Sequence, residues 1–425
     1  MTAERPRPAD GVPDARAESA LRLSGTVGAN KVMESELLRL VKRSPFHVRV
    51  PKPARQGSMA LRYAFDPALA WVAACYHRSA SRIGWELASS PATRLEPLVA
   101  DLVPLLGADD RLPRGRTVTF TVEVKGVEDF EAGPLQLRGA VKSAFEQAMQ
   151  RRGGKAVLQD EGAEWELLVR RVGVETERRT LVVLDLGRGA RHKRGQRVAQ
   201  GPAPLRETLA AQLVLLANWM PHAEPLVDPT AGSGTIAVEA ALLARGFAVR
   251  KPRDLPALRS PVFAGFPSQA PPLYPDTRPH ILASDIDEAC IAWMIGNLRA
   301  SGLTGREVEQ SIVVRAMDAT ELTPERLARI LPDAPRDRGL FAFNPPYGRR
   351  MRGEDGGVLG LYRDLGRTLE RFAGWRAAVI VANERFKLAF NARPSLVKPT
   401  SAAGLRAEFL VFDLGDRRPG NRTTR

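Results

Sequence analysis

Cysteine is nearly absent from this chain: Cys75 and Cys290 are the only two in 425 residues. Neither has a His or Cys neighbour at ligand spacing, which excludes a disulfide framework and argues against a zinc site, so no metal is expected. Long hydrophobic runs are missing too. No stretch reaches the ~18 apolar residues of a membrane-spanning helix, and Met1 to Pro8 lacks the apolar core of a secretory signal. The expectation is a soluble cytoplasmic protein. Positive charge, by contrast, is plentiful: 63 Lys and Arg against 48 Asp and Glu give +15. Such a field attracts a polyanion, because phosphate contacts supply most non-specific affinity for nucleic acids.

At this length, two or three domains are expected. Residues 1–26 lack periodicity and read as a disordered lead-in, and 416–425 as a basic tail. Between them the pattern changes once. Over 27–95 and 96–190 it is mixed α+β. Helical spacing runs from Val32 to Val41, from Ala68 to Ser79 and from Leu137 to Met149. His47 to Val50 suggests a short strand, and Thr117 to Val124, Trp165 to Val172 and Thr180 to Leu186 suggest longer ones. Gly187 to Arg197 is a basic connector, either a solvated linker or a stretch that touches RNA phosphates. From Pro204 onward strands alternate with helices, the signature of a parallel sheet covered on both faces. The Pro-rich stretch from Lys251 to Pro279 interrupts this alternation and reads as a surface excursion.

The α/β part carries three strand ends with acids. Leu226-Val227-Asp228 runs into Pro229-Thr230-Ala231-Gly232-Ser233-Gly234 and then a helix. Gly232 and Gly234 allow a sharp turn and close approach of a ligand at the carboxyl edge of the strand. The dinucleotide fingerprint does not fit, since Ala237 stands where its third glycine would be. Asp285 ends a second strand, Ile281 to Asp285, where a carboxylate can accept from both ribose hydroxyls. Asp318 follows a third, Ile312 to Met317, positioned for an adenine amino group. Asp228, Thr230, Gly232, Gly234, Asp285 and Asp318 are the candidate cofactor residues, and Asp287 reads as the N-cap of the next helix.

A fourth strand ends in Asn344-Pro345-Pro346-Tyr347-Gly348. The prolines fix φ and remove amide donors, which leaves rigid carbonyls free to accept. An exocyclic base amine has its lone pair delocalised into the ring. Accepting its two N–H groups with the Asn344 side-chain oxygen and the Pro345 carbonyl localises that pair for in-line attack on a methyl sulfonium. Tyr347 offers a face for an unstacked base. Arg349, Arg350 and Arg352 follow, either gripping flanking phosphates or forming an exposed basic loop.

These motifs resemble the THUMP-linked class I RNA methyltransferases that make N2-methylguanosine. The resemblance rests on Asp228 to Thr235, Ser284-Asp285-Ile286-Asp287 and Asn344 to Gly348, and upstream on His192 to Arg197 with Ala203 to Ala211. Leu361 to Leu369 and Gly374 to Ala377 are similar to the branch acting on large-subunit (23S) ribosomal RNA. The resemblance implies S-adenosyl-L-methionine as cofactor, a Rossmann-like methyltransferase domain over 191–415, a ferredoxin-like segment over 27–95 and a THUMP-like RNA-binding domain over 96–190. It implies Asn344, Pro345 and Tyr347 as catalytic residues, and 23S RNA or an assembling ribosomal particle as partner. Two departures stand out: Gln196 where the family has an aromatic, and Thr230-Ala231 in place of Met-Cys. Transfer RNA guanine methylation, DNA adenine-N6 methylation and a catalytically silent assembly factor are the alternatives.

Overall fold

The computed structural model describes residues 19–173, 177–195, 197–201, 204–303, 305, 311–346, 355–390, 393–402 and 404–415. They form two sheets. The first holds eight strands: β1 (Ala20–Ser24), β2 (Ala54–Gln56), β3 (Ala60–Ala64), β4 (Arg82–Ser90), β5 (Thr117–Val124), β6 (Lys155–Leu158), β7 (Trp165–Val172) and β8 (Arg179–Asp185), in the order β2-β3-β1-β4-β8-β7-β5-β6. Antiparallel pairing of β4 with β8 joins the stretches before and after residue 95 into this one sheet. Helices α1 (Asn30–Arg43), α2 (Pro67–Tyr76), α3 (Leu95–Ala108) and α4 (Pro134–Arg151) close its core around Trp71, Trp85, Phe120, Phe145 and Trp165.

Three expectations are corrected here. Residues 20–24, placed in a disordered lead-in, form a central strand: Leu21 and Leu23 are fully buried on one side, and Arg22 reaches Glu86 at 2.8 Å on the other. His47 to Val50 forms no strand; His47 and Arg49 face solvent, and prolines at 45, 51 and 53 deny the segment a ladder. The Pro-rich stretch does not lie loosely on the surface. Leu255 and Phe263 are buried in the core of the first sheet, Phe263 stands edge-on to Trp85, and the Tyr76 hydroxyl donates to the Pro271 carbonyl at 2.7 Å.

The second sheet contains β9 (Leu226–Asp228), β10 (Ile281–Asp285), β11 (Ile312–Ala316), β12 (Leu340–Phe343), β13 (Arg376–Val381), β14 (Leu396–Ala402) and β15 (Leu405–Asp413), ordered β11-β10-β9-β12-β13-β15-β14. Only β15 runs antiparallel to its neighbours. Burial on both faces explains the continuous apolar runs. In β12, Leu340 and Ala342 enter one core while Phe341 and Phe343 enter the other. Helices α5 (Glu207–Leu216), α6 (Thr235–Arg245) and α7 (Glu288–Ala300) cover the first face. Helices α8 (Pro324–Ile330), α9 (Asp355–Leu369) and α10 (Arg385–Ala389) follow later in the chain, with Leu327, Tyr362 and Phe386 in the second core. The chain steps outward from β9 through β10 to β11, then returns to lay β12 on the other side of β9. That reversal opens a crevice at the carboxyl ends of β9 and β12, where open α/β sheets bind ligands.

Among the described residues no helix is long and apolar enough to cross a membrane. The connector after β8 turns inward. Arg191 and Arg194 are buried, Arg191 donating to the carbonyls of Ala74 and His77 and Arg194 bonding the Glu239 carboxylate of α6. Arg194 therefore ties the first unit to α6, Arg191 anchors the connector on the first unit, and neither is available to RNA phosphates.

Candidate active site

The glycine-rich turn between β9 and α6 is held in shape by its own backbone. Gly232 and Gly234 take φ of 55° and 80°, a region strained for any residue with a Cβ. A Cβ on Gly234 would also lie 2.8 Å from Met294 of α7, whereas one on Gly232 would meet nothing within 4 Å. Gly234 thus allows helix packing, and Gly232 leaves the turn open on the crevice side. The Ala231 amide donates to the Ser284 carbonyl at 2.9 Å, and the Thr230 amide reaches Asp228 at 3.3 Å.

Asp285 sits beside this turn. One carboxylate oxygen accepts the Gly232 amide at 2.8 Å and the other the Asp287 amide at 3.1 Å. Each oxygen has a second lone-pair site, so the carboxylate can organise the turn and still accept ligand hydroxyls. Asp287 caps α7, accepting from the Ala289 amide at 2.9 Å. The Met317 amide donates to the Asp285 carbonyl at 3.0 Å, which brings Asp318 to the same edge. One Asp318 oxygen accepts both the amide and the hydroxyl of Thr320, at 2.8 Å each; the other has no hydrogen bond among the described residues.

Asp228 lies beneath the turn and is 1% exposed. Burial pushes its pKa well above the ordinary 3.8, and the like charge of Asp285 adds to the effect. The folded state therefore holds the proton that the unfolded chain releases above about pH 4. Stability is full below that pH and falls as the pH rises toward the raised folded value. Asp228→Asn keeps the acceptor for Thr230 and removes this cost. The variant should unfold at a higher temperature than the parent at pH 7 and match it near pH 3; parallel melting curves at all pH values would contradict the assignment.

Asn344, Pro345 and Pro346 leave β12 directly above the fully buried Phe343. Contacts from two neighbouring elements help hold this segment. The Thr230 hydroxyl lies 3.5 Å from the Asn344 carbonyl, linking it to the glycine-rich turn, and the Tyr362 hydroxyl donates to the Pro346 carbonyl at 2.7 Å. Tyr362 is fully buried on α9 and stands edge-on to Phe386. The structure thus brings Asp228, Thr230, Gly232, Gly234, Asp285, Asp318, Asn344 and Pro345 to one edge of the sheet. Tyr347, Gly348, Arg349, Arg350 and Arg352 lie outside the described residues. Among the described residues, no cluster of His, Cys, Asp or Glu could hold a metal ion.

Two residues that sequence reasoning assigned no role matter here. Asn297 of α7 is 5% exposed and uses its whole amide: it donates to the carbonyls of Ser233 and Ala199 and accepts from the amides of Val198 and Ala199. It ties the connector to the glycine-rich turn. Tyr362 is the other. Tyr362→Phe leaves the Pro346 carbonyl unpaired, at a stability cost of about 1–3 kcal/mol, and loosens the Asn344 segment. Steady-state kinetics should show kcat falling with donor affinity preserved. An unchanged kcat would remove Tyr362 from the positioning of this segment.

The residues fit an adenosyl donor: an open glycine turn and a ribose-competent carboxylate meet at one sheet edge. Comparison with known proteins agrees. Residues 194–405 match the RMKL-like methyltransferase domain. The chain is 31% identical over 283 residues to YpsC of Bacillus subtilis, covering 64% of this chain and 67% of that protein. It is 30% identical over 325 residues to the ribosomal RNA large subunit methyltransferase K/L of Allochromatium vinosum. That alignment covers 73% of this chain and 41% of the relative, so the chain spans less than half of that enzyme's length. The crystal structure of SMU.472, complexed with SAH, matches the fold with a TM-score of 0.72 at 22% identity, over 93% of this chain and 98% of that one. The expected Rossmann-like fold and the reading as an enzyme using S-adenosylmethionine are borne out, and the chain belongs to the RMKL-like methyltransferase family.

Proposed function

We propose that this protein transfers a methyl group from S-adenosylmethionine to the exocyclic N2 amine of a guanine in RNA, in large-subunit (23S) ribosomal RNA or an assembling ribosomal particle in the cytoplasm. The observation that carries the reading is Asn344-Pro345-Pro346, rigid and anchored at the carboxyl end of β12 beside the glycine-rich turn. RNA as substrate is supported by the name of the Allochromatium relative and by the net charge of +15. The eight-stranded unit, as a ferredoxin-like segment with a THUMP-like domain, would bind structured RNA and present the base.

The cofactor supplies an electrophilic methyl group. In our reading Asp285 accepts from its ribose and Asp318 from its adenine amine, while Asp228, Thr230, Gly232 and Gly234 shape the turn beneath it. The Asn344 side-chain oxygen and the Pro345 carbonyl accept the two N–H groups of the target amine, and Tyr347 stacks on the base. After transfer the nitrogen loses one proton to solvent, so no strong base is needed and catalysis is positioning and electrostatics. Asp285→Ala should weaken donor binding by about tenfold or more, since it removes a charged hydrogen-bond acceptor. Calorimetry that finds the affinity unchanged would reassign the ribose contact.

The deciding experiment compares nucleoside mass spectra of ribosomal RNA, transfer RNA and DNA from cells with and without the gene. Loss of N2-methylguanosine from 23S RNA alone is the expected result. Loss from transfer RNA, or of N6-methyladenine from DNA, would replace the substrate, and no change in any pool would favour an assembly factor without transferase activity.

A further inference from the structure

A second cavity, of about 340 Å³, lies between α1, the C-terminal ends of α5 and α6, and the Pro-rich excursion. It is far from the chemistry. Helix α6 begins at the glycine-rich turn and runs 11 residues, roughly 16 Å, before its last turn borders this cavity. The two sites therefore occupy opposite edges of the second sheet.

The lining is specific in kind. Trp219, Leu243 and Phe247 form an apolar floor, with the Trp219 ring fixed by its donation to the Glu224 carbonyl at 3.0 Å. Tyr274 forms a wall. Exposed Arg39 and Arg43, one helical turn apart on α1, stand at the rim. Arg43 sits 5.7 Å from the Tyr274 ring centre, and among the described residues Arg39 donates only to the Ser35 carbonyl of its own helix, at 3.3 Å. Among the described residues no carboxylate pairs with either. The two buried charges bordering the cavity are already engaged: Glu36 by Ser79 and the Arg78 amide, Arg78 by Glu239 and the Phe247 carbonyl.

An aromatic floor and wall recognise a planar base, and unmatched guanidinium groups recognise phosphate. The volume is at the lower end of the ~300–1,000 Å³ range of ligand pockets, suited to a single small ligand. We propose that this cavity binds one nucleotide, its base against Trp219, Phe247 and Tyr274 and its phosphate on Arg39 and Arg43. The nucleotide is either free or part of an RNA strand, and in both cases it is distinct from the base being methylated. The inference goes beyond the proposed methylation and does not depend on it.

The test is calorimetric titration of the full chain, saturated with S-adenosylhomocysteine so that the donor crevice is filled. AMP, GMP and a short single-stranded oligoadenylate are the probes. Saturable one-site binding is expected, weakened about tenfold or more in R39A/R43A through loss of charged hydrogen bonds, and weakened again in Y274A. Affinity for S-adenosylhomocysteine should remain unchanged in both variants, which shows that they fold. Binding of the mononucleotides but not the oligomer identifies a free nucleotide as the ligand; binding of the oligomer alone identifies an RNA strand. The inference is overturned if no probe binds, if binding is equal in the variants and the parent, or if polyglutamate competes as well as the nucleotides do. Methyl transfer, assayed separately, reports on the proposed reaction, so either proposal can fail alone.

Discussion

Asn344→Ala should reduce methyl transfer by on the order of 100-fold or more, the scale of losing one preorganised hydrogen-bonding group that acts on the transition state. In the proposed mechanism the amine attacks only when its lone pair is withdrawn from the base ring, and two acceptors hold its N–H groups to achieve that. The Pro345 carbonyl survives the substitution; the Asn344 amide does not. One acceptor alone leaves the amine free to rotate back into conjugation and out of line with the methyl group. Binding of the donor should change by only a few fold, because the contacts assigned to it come from the β9 turn, Asp285 and Asp318. The measurement is transfer of labelled methyl to substrate RNA, with donor affinity determined on the same preparation. Activity retained in the variant would sink the proposed mechanism.

Asn344→Asp is the sharper companion. It keeps the carbonyl-like oxygen and replaces the amide nitrogen with a second acceptor. If accepting from the amine is the whole role of this side chain, Asp should restore part of what Ala loses. If the Asn344 amide must also donate, Asp should be as inactive as Ala.

The second sheet was legible from the sequence because its strands are buried on both faces. Leu340 to Phe343 has no choice but to be apolar throughout, and the reading follows from that constraint. The candidate site was legible for a related reason: glycines with positive φ and a double proline are local demands of the backbone, written where they act. What could not be read depends on partners distant in sequence. Arg22 looks like a break in a short apolar stretch, and only Glu86, 64 residues later, makes it a strand position. Arg191 and Arg194 look like a solvated basic linker until Glu239 is placed against Arg194. Asn297 and Tyr362 are ordinary helical residues in the sequence, and only folding shows which carbonyls they hold.

Glu239→Ala should be the most destabilising of the substitutions considered, by about 3–5 kcal/mol, the cost of stranding buried charge. Glu239 is fully buried on α6, and one of its oxygens accepts from Arg78, at 3.0 Å, and from Arg194. Both guanidinium groups are buried, and Arg191 lies close enough for its backbone carbonyl to accept from Arg194. Burial already lowers the pKa of Arg78, and the charge of Glu239 opposes that shift. Removing the carboxylate leaves two desolvated cations with only carbonyls for company. Set against a usual folding stability of about 5–15 kcal/mol, that loss would be severe. Urea unfolding followed by tryptophan fluorescence measures it. Glu239→Leu combined with Arg78→Met and Arg194→Met removes cations and anion together and should recover most of the stability, since apolar replacements of a whole buried network are often neutral. A single variant within 1 kcal/mol of the parent, by the scale of an ordinary surface change, would show that the network is not the lock between the two sheets. The triple variant also separates stability from function. Arg78 lies between α2 and β4, Arg194 in the connector, and Glu239 on the helix that starts at the glycine-rich turn. If this charged contact also fixes how the first sheet presents RNA, the triple variant will be stable and bind donor normally, yet transfer methyl to RNA more slowly than the parent.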